Sequence, residues 1–528
     1  MQNKLGYSDS NHGGIVLIAG AGAGGRLSKP LQFFSVTVMA LLAAAALAVA
    51  GASNFIVPRF QMFLDPDGAF ATLNLGGPTD TSTNPFFQDM GSNGRRCVTC
   101  HQPSDAWSVT PPHIRQRFEA TGGTDPIFRP VDGATCPTAD VSNLEERREA
   151  YSLLLSKGLI RIGIGVPANA DYQVTSVYNK YGCNDAGTIS MYRRPLPSTN
   201  LGFLSAVMFD GRESSPLTGT TKIVYGNYPS SLLSDLAHQS LDATKGHAQG
   251  DGSRPTPAEQ QQIVDFETKL FTAQLFDFRA GWLNAGGAQG GPTPLSNQPF
   301  FITINSSVHP IVSAFEQPGG LATPGDGQFT SNIFSLYGKW AQNSEEDDDY
   351  AEARQSVARG EQLFNTLQIP ITGVAGINDD VAAGGLVAGG VPLFMGTCGT
   401  CHDTPNVGNH SFPTPLNIGT GDPDPANPSV NLGGLDVSYL PEITVCKIGD
   451  PKNCKTTTDL GQALIDGKFD HVGKIKGPIL RGLAGRAPYF HNGSAATLMD
   501  AVNFYDTRFA LSLSDQQKAD LVAFLKTL

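Results

Sequence analysis

The chain is poor in charged residues, and the charge that it carries is mostly acidic. Only 16% of its 528 residues are charged, and 36 basic residues against 48 acidic ones give a formal net charge of −12 at pH 7. Binding to phosphate needs a basic surface, so this balance argues against a nucleic-acid partner. Alternation of polar and apolar residues is not obvious anywhere, so we expect helices and turns to dominate over strands.

Glycine and proline are plentiful, with 60 and 36 residues, while hydrophobic residues make up 40% of the chain. This composition is typical of globular domains that carry long loops. A length of 528 residues is too great for one compact core, so we expect two domains. We place their border near residue 340, which gives a first domain over residues 53–340 and a second over residues 341–528.

Residues 1–52 end in an apolar stretch that reads LQFFSVTVMALLAAAALAVAGA from Leu31 to Ala52. Basic residues precede it, and Ala48 and Ala50 form an A-x-A arrangement. The pattern predicts a secretion signal. A membrane anchor is the alternative, because the stretch approaches the ~20 residues that span a bilayer. Either reading places the folded part in the periplasm or outside the cell, where disulfides persist.

Two C-x-x-C-H motifs account for four of the eight cysteines. In such a motif the two thiols can form thioethers with one haem, and the adjacent histidine can coordinate its iron. A zinc or dithiol redox site is disfavoured because the same Cys-Cys-His set recurs unaltered. The sequence therefore predicts two covalently bound haem c groups. The residues that would bind them are Cys97, Cys100, His101, Cys398, Cys401 and His402.

The other four cysteines suit disulfides in an oxidising compartment. A bridge from Cys136 to Cys183 and a short loop from Cys446 to Cys454 pair sequence neighbours, which is the simplest choice. Connectivity cannot be read from the sequence, so other pairings stay open.

Three amphipathic stretches predict helices, over residues 143–159, 257–283 and 514–528, because apolar residues recur at three-to-four spacing. In the second stretch, Thr256 and Glu259 match a capping box around Pro257. In the third, Ser514 and Gln517 match another.

Three segments carry a family resemblance. ARGEQLF (residues 358–364) precedes the second haem motif, LRGLAGRAPYFHNGSAATLMDAVNFYD (480–506) follows it, and MFDGRES (208–214) lies in the first domain. They resemble segments of the bacterial di-haem cytochrome c peroxidase and MauG family. The resemblance implies a mainly α protein with two cytochrome-c-like haem domains, long loops and insertions. In that family the N-terminal haem is open to hydrogen peroxide, and the C-terminal haem has both axial positions filled.

The sixth ligand of the C-terminal haem is Met in the peroxidases and Tyr in MauG, and the aligned residue here is Tyr505. A phenolate favours ferric and higher oxidation states, so Tyr505 favours the MauG reading. The alternatives are a tyrosine that packs in the core, or Met499 as the ligand. His491 is either a haem-edge contact or a structural histidine.

For peroxide cleavage the family uses a Glu with a Gln ten positions before it. Gln239 matches the Gln, but the position of the Glu is occupied by Gln249. A neutral imidazole is a competent base, so His247 is the candidate for proton transfer. The alternative is that these residues simply face solvent. The Trp that lies between the haems in the family corresponds to Phe209, which is much harder to oxidise, so we expect electron exchange to be slower there or to follow another route.

The expected function is a di-haem c-type oxidoreductase that reduces hydrogen peroxide, with electrons passing between the two haems. The reductant is a small electron-donor protein, or a protein or organic substrate that is oxidised at the surface. A non-catalytic electron-transfer cytochrome and a di-haem oxygenase of the rubber-cleaving type are the alternatives. An open coordination site on one haem separates the enzymes from the carrier.

Overall fold

The computed structural model describes residues 55–183, 187–204, 206–214, 231–298, 332–342, 349–379, 392–409 and 415–528. The expected secretion signal or anchor, residues 1–52, lies outside this set. Within the described residues, no helix is long and apolar enough to cross a membrane.

The described helices are short, and the longest have 16 residues. The α-helices are α1 (Cys97–Cys100), α2 (Pro111–Thr121), α3 (Leu144–Ala150), α4 (Ser152–Lys157), α5 (Leu232–His247), α6 (Pro257–Glu267), α7 (Pro292–Ser296), α8 (Ala351–Thr366), α9 (Ala463–Asp466), α10 (Leu498–Phe509) and α11 (Asp515–Lys526). Short 3₁₀ turns cover Pro85–Phe87, Pro103–Asp105, Leu201–Phe203, Gly338–Ala341, Cys398–Thr400 and Phe469–His471.

The strands form several small antiparallel sheets. They are β1 (Ile56–Val57), β2 (Phe60–Asp65), β3 (Gly68–Asn74), β4 (Thr79–Asp80), β5 (Ile160–Ile164), β6 (Tyr172–Tyr178), β7 (Ile189–Arg193), β8 (Leu270–Asp277), β9 (Gly281–Trp282), β10 (Ile369–Ile371), β11 (Phe394–Gly396), β12 (Pro423–Asp424), β13 (Asn427–Asn431), β14 (Glu442–Lys447) and β15 (Asp450–Thr457).

The expectation of a mainly α fold is wrong. Helices make up 31% of the described residues and strands 20%, so the fold is a mixed α/β one. The largest sheet has the order β2-β3-β8-β9, and both β3 and β8 are buried along their whole length. A strand buried on both faces has no solvent-facing side, so it lacks the alternation by which strands are usually recognised. In β8, for example, Thr272 and Gln274 are buried with their apolar neighbours.

The predicted helix over residues 257–283 is wrong in its second half, because it ends at Glu267 and β8 follows. Its beginning is confirmed: the Thr256 hydroxyl accepts from the Glu259 amide, and the Glu259 carboxylate accepts from the Thr256 amide at 2.8 Å. The stretch 143–159 forms α3 and α4, separated at Tyr151. The C-terminal helix α11 begins with the predicted capping box.

Both proposed disulfides are present. One joins Cys136 to Cys183, and the other joins Cys446 to Cys454 across the β14–β15 pair. The second bridge lies in the three-stranded sheet β15-β14-β6, which brings a strand of the first predicted domain next to two of the second.

Residues Ile56–Leu528 form one compact unit. One apolar cluster joins Leu283 and Tyr337 to Val357 and Phe524, which come from either side of residue 340. The domain border near that residue stays a prediction.

Candidate functional site

The first C-x-x-C-H motif forms a single helical turn, α1, whose start is held by Thr99. The Thr99 hydroxyl accepts from the Arg96 amide at 2.9 Å. His101 follows directly, and its Nδ1 donates to the carbonyl oxygen of Trp107 at 3.1 Å. Because Nδ1 carries that proton, the Nε2 lone pair is available to a metal. Burial lowers the pKa of His101 to about 4, which keeps the ring neutral.

Phe86 packs beside this histidine, and Phe266 packs on Phe86. The ring centroids of Phe86 and His101 are 6.3 Å apart, and those of Phe86 and Phe266 are 5.2 Å apart. Phe86 lies in the turn before the motif, and Phe266 lies near the end of α6. The contact between the two phenylalanines therefore connects the end of α6 to the turn that precedes the motif.

The second motif repeats this arrangement. The Thr400 hydroxyl accepts from the Thr397 amide at 2.9 Å, which holds the turn Cys398–Thr400. The His402 Nδ1 donates to the Gly408 carbonyl at 3.0 Å, six residues later, as in the first motif. Burial lowers the pKa of His402 to about 4, so this ring is also neutral and its Nε2 is available.

An equivalent aromatic pair accompanies His402. Phe364 lies 6.3 Å from the His402 ring and 5.6 Å from Phe524, centroid to centroid. Phe364 belongs to α8 and Phe524 to α11, so α11 has the place here that α6 has at the first motif. The chain thus contains two similar modules, each with two thiols and one neutral histidine.

A cavity opens at the first motif. It contains about 1510 Å³ of space between atoms, part of it continuous with solvent. Cys97, Cys100 and His101 line it, and so do Gln239 and His247 from α5. The structure therefore brings together every residue predicted for the first haem and its distal side.

The cavity lining is suited to a haem in two ways. Much of it is apolar, including Ile160, Leu201 and Leu236, which matches a macrocycle. Basic side chains also reach it, and these match the two propionates of a haem. Lys476 is one of them, and burial lowers its pKa to about 8. The full basic set is Arg95, Arg96, Arg193, Arg194, Arg212 and Lys476.

The imidazole of His247 is held from outside the cavity by a buried carboxylate. Its Nδ1 lies 2.5 Å from Asp132 Oδ2, and the other oxygen of Asp132 pairs with Arg95. Burial opposes ionisation of Asp132, but His247 and Arg95 outweigh it and hold the pKa of Asp132 below its ordinary value. A carboxylate that accepts from Nδ1 leaves the Nε2 lone pair of His247 available for proton transfer.

A buried ionic network lies beside the first cavity, which Arg193 lines. Arg193 contacts Asp210 at 2.5 Å and Asp459 at 2.6 Å. His491 is buried, and its Nε2 lies 3.8 Å from Asp459 Oδ2. Its ring meets that of Phe209 edge-on, with centroids 6.1 Å apart. The structure therefore places Phe209 and His491 in contact.

Tyr505 packs in the same apolar cluster as Cys398 and Cys401. Although part of its surface is exposed, burial raises its pKa well above the ordinary value. Met499 instead lines a separate cavity among α8, α11 and the turn after β8. Of the two ligand candidates, only Tyr505 shares a cluster with the second motif's thiols.

Sequence reasoning missed three residues of the first site. Asp132 and Arg95 hold His247, and Glu267 lines the cavity. Glu267 is 5% exposed and its Oε2 has no hydrogen-bond partner. Burial raises its pKa to about 7 despite a hydrogen bond from Ser198. The only sequence signal for Arg95 was its place two residues before Cys97; the others had none.

Comparison with known proteins gives partial matches to cytochrome-c peroxidases. The chain is 29% identical over 152 residues to cytochrome-c peroxidase IdrP1 of Pseudomonas sp. (strain SCT), which covers 26% of this chain and 38% of that protein. It is 38% identical over 87 residues to cytochrome-c peroxidase IdrP2 of Denitromonas iodatirespirans, covering 15% of this chain and 24% of that protein. The matches thus span well under half of either relative. No family model matches the chain. Over these segments the chain is cytochrome c peroxidase-like.

Proposed function

We propose that this chain is a di-haem c-type oxidoreductase that reduces hydrogen peroxide at the His101 site and exchanges electrons with the His402 site. The observation that carries the proposal is the cavity that His101 shares with His247 and Gln239. The partial similarity to cytochrome-c peroxidases supports a haem oxidoreductase of this type. The matched segments cover 38% and 24% of the two relatives, so the whole reaction stays our proposal.

A haem bound by Cys97, Cys100 and His101 would supply the redox chemistry of the reaction. The chain's part is proton transfer and charge stabilisation. His247 Nε2 accepts a proton from hydrogen peroxide and returns it to the departing oxygen. The Gln239 amide donates a hydrogen bond to the charge that develops on that oxygen.

The second site has the complementary task of storing and passing electrons. Tyr505 would bind the second haem's iron together with His402, and a phenolate ligand would favour the ferric state and a MauG-like reaction. The ultimate reductant is then a small electron-donor protein, or a protein or organic substrate oxidised at the surface. The two disulfides suit a periplasmic or extracellular location, where such partners are met.

A non-catalytic electron-transfer cytochrome is the second candidate. The contact between His247 and Asp132 favours it, because metal-binding histidines commonly donate their other ring N–H to a carboxylate. His247 would then be an iron ligand, and the His101 site would have no position for peroxide.

Haem content tests the first part of the proposal. Intact mass of the protein, matured with a haem-attachment system, should correspond to two covalent haems. Replacing Cys398 and Cys401 with Ala should remove one and leave the other. A purified protein that carries one haem or none contradicts the di-haem reading.

The ferric spectrum separates the two candidate functions. A peroxidase should give a high-spin ferric signal from the His101 site, and hydrogen peroxide should change it rapidly. Low-spin signals from both haems, unaffected by peroxide and by His247→Ala, would contradict the peroxidase proposal. Low-spin signals of which one becomes high-spin in His247→Ala would identify the electron carrier instead.

A further inference from the structure

The carboxylate of Asp132 is held more firmly than the carboxylate of a surface ion pair would be. Its side chain is 7% exposed, and Arg95, at 3%, is buried beside it. Arg95 is itself held by backbone: its Nε donates to the Pro126 carbonyl at 2.8 Å and its Nη2 to the Ile127 carbonyl at 2.6 Å. Neither partner of the ion pair is free to follow the imidazole, so the carboxylate is a fixed acceptor.

The same arginine also fixes the backbone of His247. Arg95 Nη1 donates to the His247 carbonyl at 3.2 Å, and the Asn93 amide donates to it at 2.8 Å. Just before, Gly91 approaches the end of α5 so closely that a Cβ would lie 2.0 Å from the Ala248 carbonyl oxygen. The loop that leads into the first haem motif is thus joined to the backbone of His247 directly and to its imidazole through Asp132.

We infer that Asp132, backed by Arg95, is the positioning residue that fixes the tautomer and direction of His247 toward the cavity. The inference rests on the proposed function, since it assigns a task to the base proposed there. An ionised carboxylate can only accept, so Nδ1 donates, and in the neutral ring the lone pair then lies on Nε2. Because the ion pair is buried and anchored, it holds the ring in one orientation when peroxide enters.

The sharpest perturbation is Asp132→Asn, which has nearly the same shape. Its amide can donate to Nδ1, which would place the proton on Nε2 and remove the lone pair from the cavity. We expect the bimolecular reaction with peroxide to slow by roughly 10², within the usual effect of the groups that orient a functional histidine. His247→Ala should slow it by roughly 10² to 10⁴.

The infrared spectrum of carbon monoxide bound to the ferrous protein reports which ring nitrogen of His247 carries the proton, and the measurement needs no turnover. In the parent, Nε2 has no proton to donate to the ligand. In Asp132→Asn it has one, and a hydrogen bond donated to the ligand oxygen weakens the C–O bond, so the stretching frequency should fall. This shift should be absent in Asp132→Asn combined with His247→Ala.

The chain offers a matched control. His471 Nδ1 lies 2.5 Å from Asp466 Oδ2, and Asp466 is 4% exposed, but this pair is not among the residues lining the His101 cavity. Asp466→Asn should leave the peroxide rate and the carbon monoxide stretch at parent values. A second variant, Asp132→Glu, keeps the charge and the acceptor, and it should recover most of the rate and the parent stretch.

The outcomes are distinct. If His247→Ala reacts at the parent rate, the proposed base is wrong. If His247→Ala is slow but Asp132→Asn keeps the parent rate and stretch, only the role of Asp132 is wrong. The role of Asp132 is also wrong if Asp132→Asn lowers the peroxide rate further in the His247→Ala background, because Asp132 would then act through some other group. If Asp132→Asn does not fold, an Asp132→Glu protein with a lowered stretch overturns the inference, and one with the parent stretch supports it.

Discussion

We expect Glu267 to make the free energy of unfolding depend on pH, and the burial of its carboxyl sets the sign of that dependence. It is a buried carboxyl with one oxygen lacking a hydrogen-bond partner, and burial raises its pKa from 4.5 to about 7. Below pH 4.5 the group is protonated in both the folded and the unfolded chain. Between pH 4.5 and 7 the unfolded chain ionises first, so the folded state loses stability as pH rises.

The magnitude follows from the size of the shift. Each pKa unit corresponds to about 1.4 kcal/mol, so the raised pKa costs the folded state about 3 kcal/mol above pH 7. Glu267→Gln removes the titration, because an amide of nearly the same shape is neutral throughout. The free energy of unfolding of this variant minus that of the parent should therefore be about 3 kcal/mol larger at pH 8 than at pH 4.

Urea unfolding of both proteins at pH 4 and pH 8, with haem attached, measures this difference. Glu119→Gln is the control, because the Glu119 side chain is 64% exposed and its removal should leave the pH dependence unchanged. A Glu267→Gln variant whose stability changes with pH as the parent's does would refute the reasoning. The carboxyl would then be ionised in a polar or hydrated setting, and its burial would be smaller than the structure indicates.

Two further predictions concern the second site and the fold. Tyr505→Phe should convert the His402 haem from six-coordinate to five-coordinate or water-bound without loss of haem, as seen by electron spin resonance and optical spectra; an unchanged low-spin spectrum would point to another ligand. Replacing Cys136 and Cys183 with Ser should lower the free energy of unfolding by about 4 kcal/mol, since the bridge spans 47 residues. Breaking the β14–β15 bridge, which spans 8 residues, should cost only about 2.5 kcal/mol in the same urea assay, and the opposite order would contradict the loop-closure argument.

The parts of the structure that the sequence predicted are those set by neighbours in the chain. The capping box at Thr256 forms because the hydroxyl and the Glu259 carboxylate are three residues apart. The disulfide at Cys446 joins positions directly opposite in a hairpin. Such features need only local geometry, so a short pattern suffices to find them.

The parts that sequence reasoning missed are set by tertiary contacts. Strand β8 follows α6 with polar and apolar residues buried alike along its length, and it pairs with β3, about 200 positions earlier. Asp132 is 115 positions from His247, and no motif joins them. A single aspartate in a loop gives no signal of its partner until the chain is folded.

The contrast between the two modules bears on how one chain could hold two haems with different tasks. They share the histidine bonded to a carbonyl six residues on, and a phenylalanine that packs beside it. What differs comes from outside the motif. Helix α5 and the loop of Asp132 bring an oriented imidazole to the first site, whereas α10 brings Tyr505 to the second. The common parts would hold a haem through its thioethers and its histidine, so under the proposed function the division between peroxide reaction and electron storage would lie in these added elements. Changes confined to them should alter one site's chemistry and leave haem attachment at both intact.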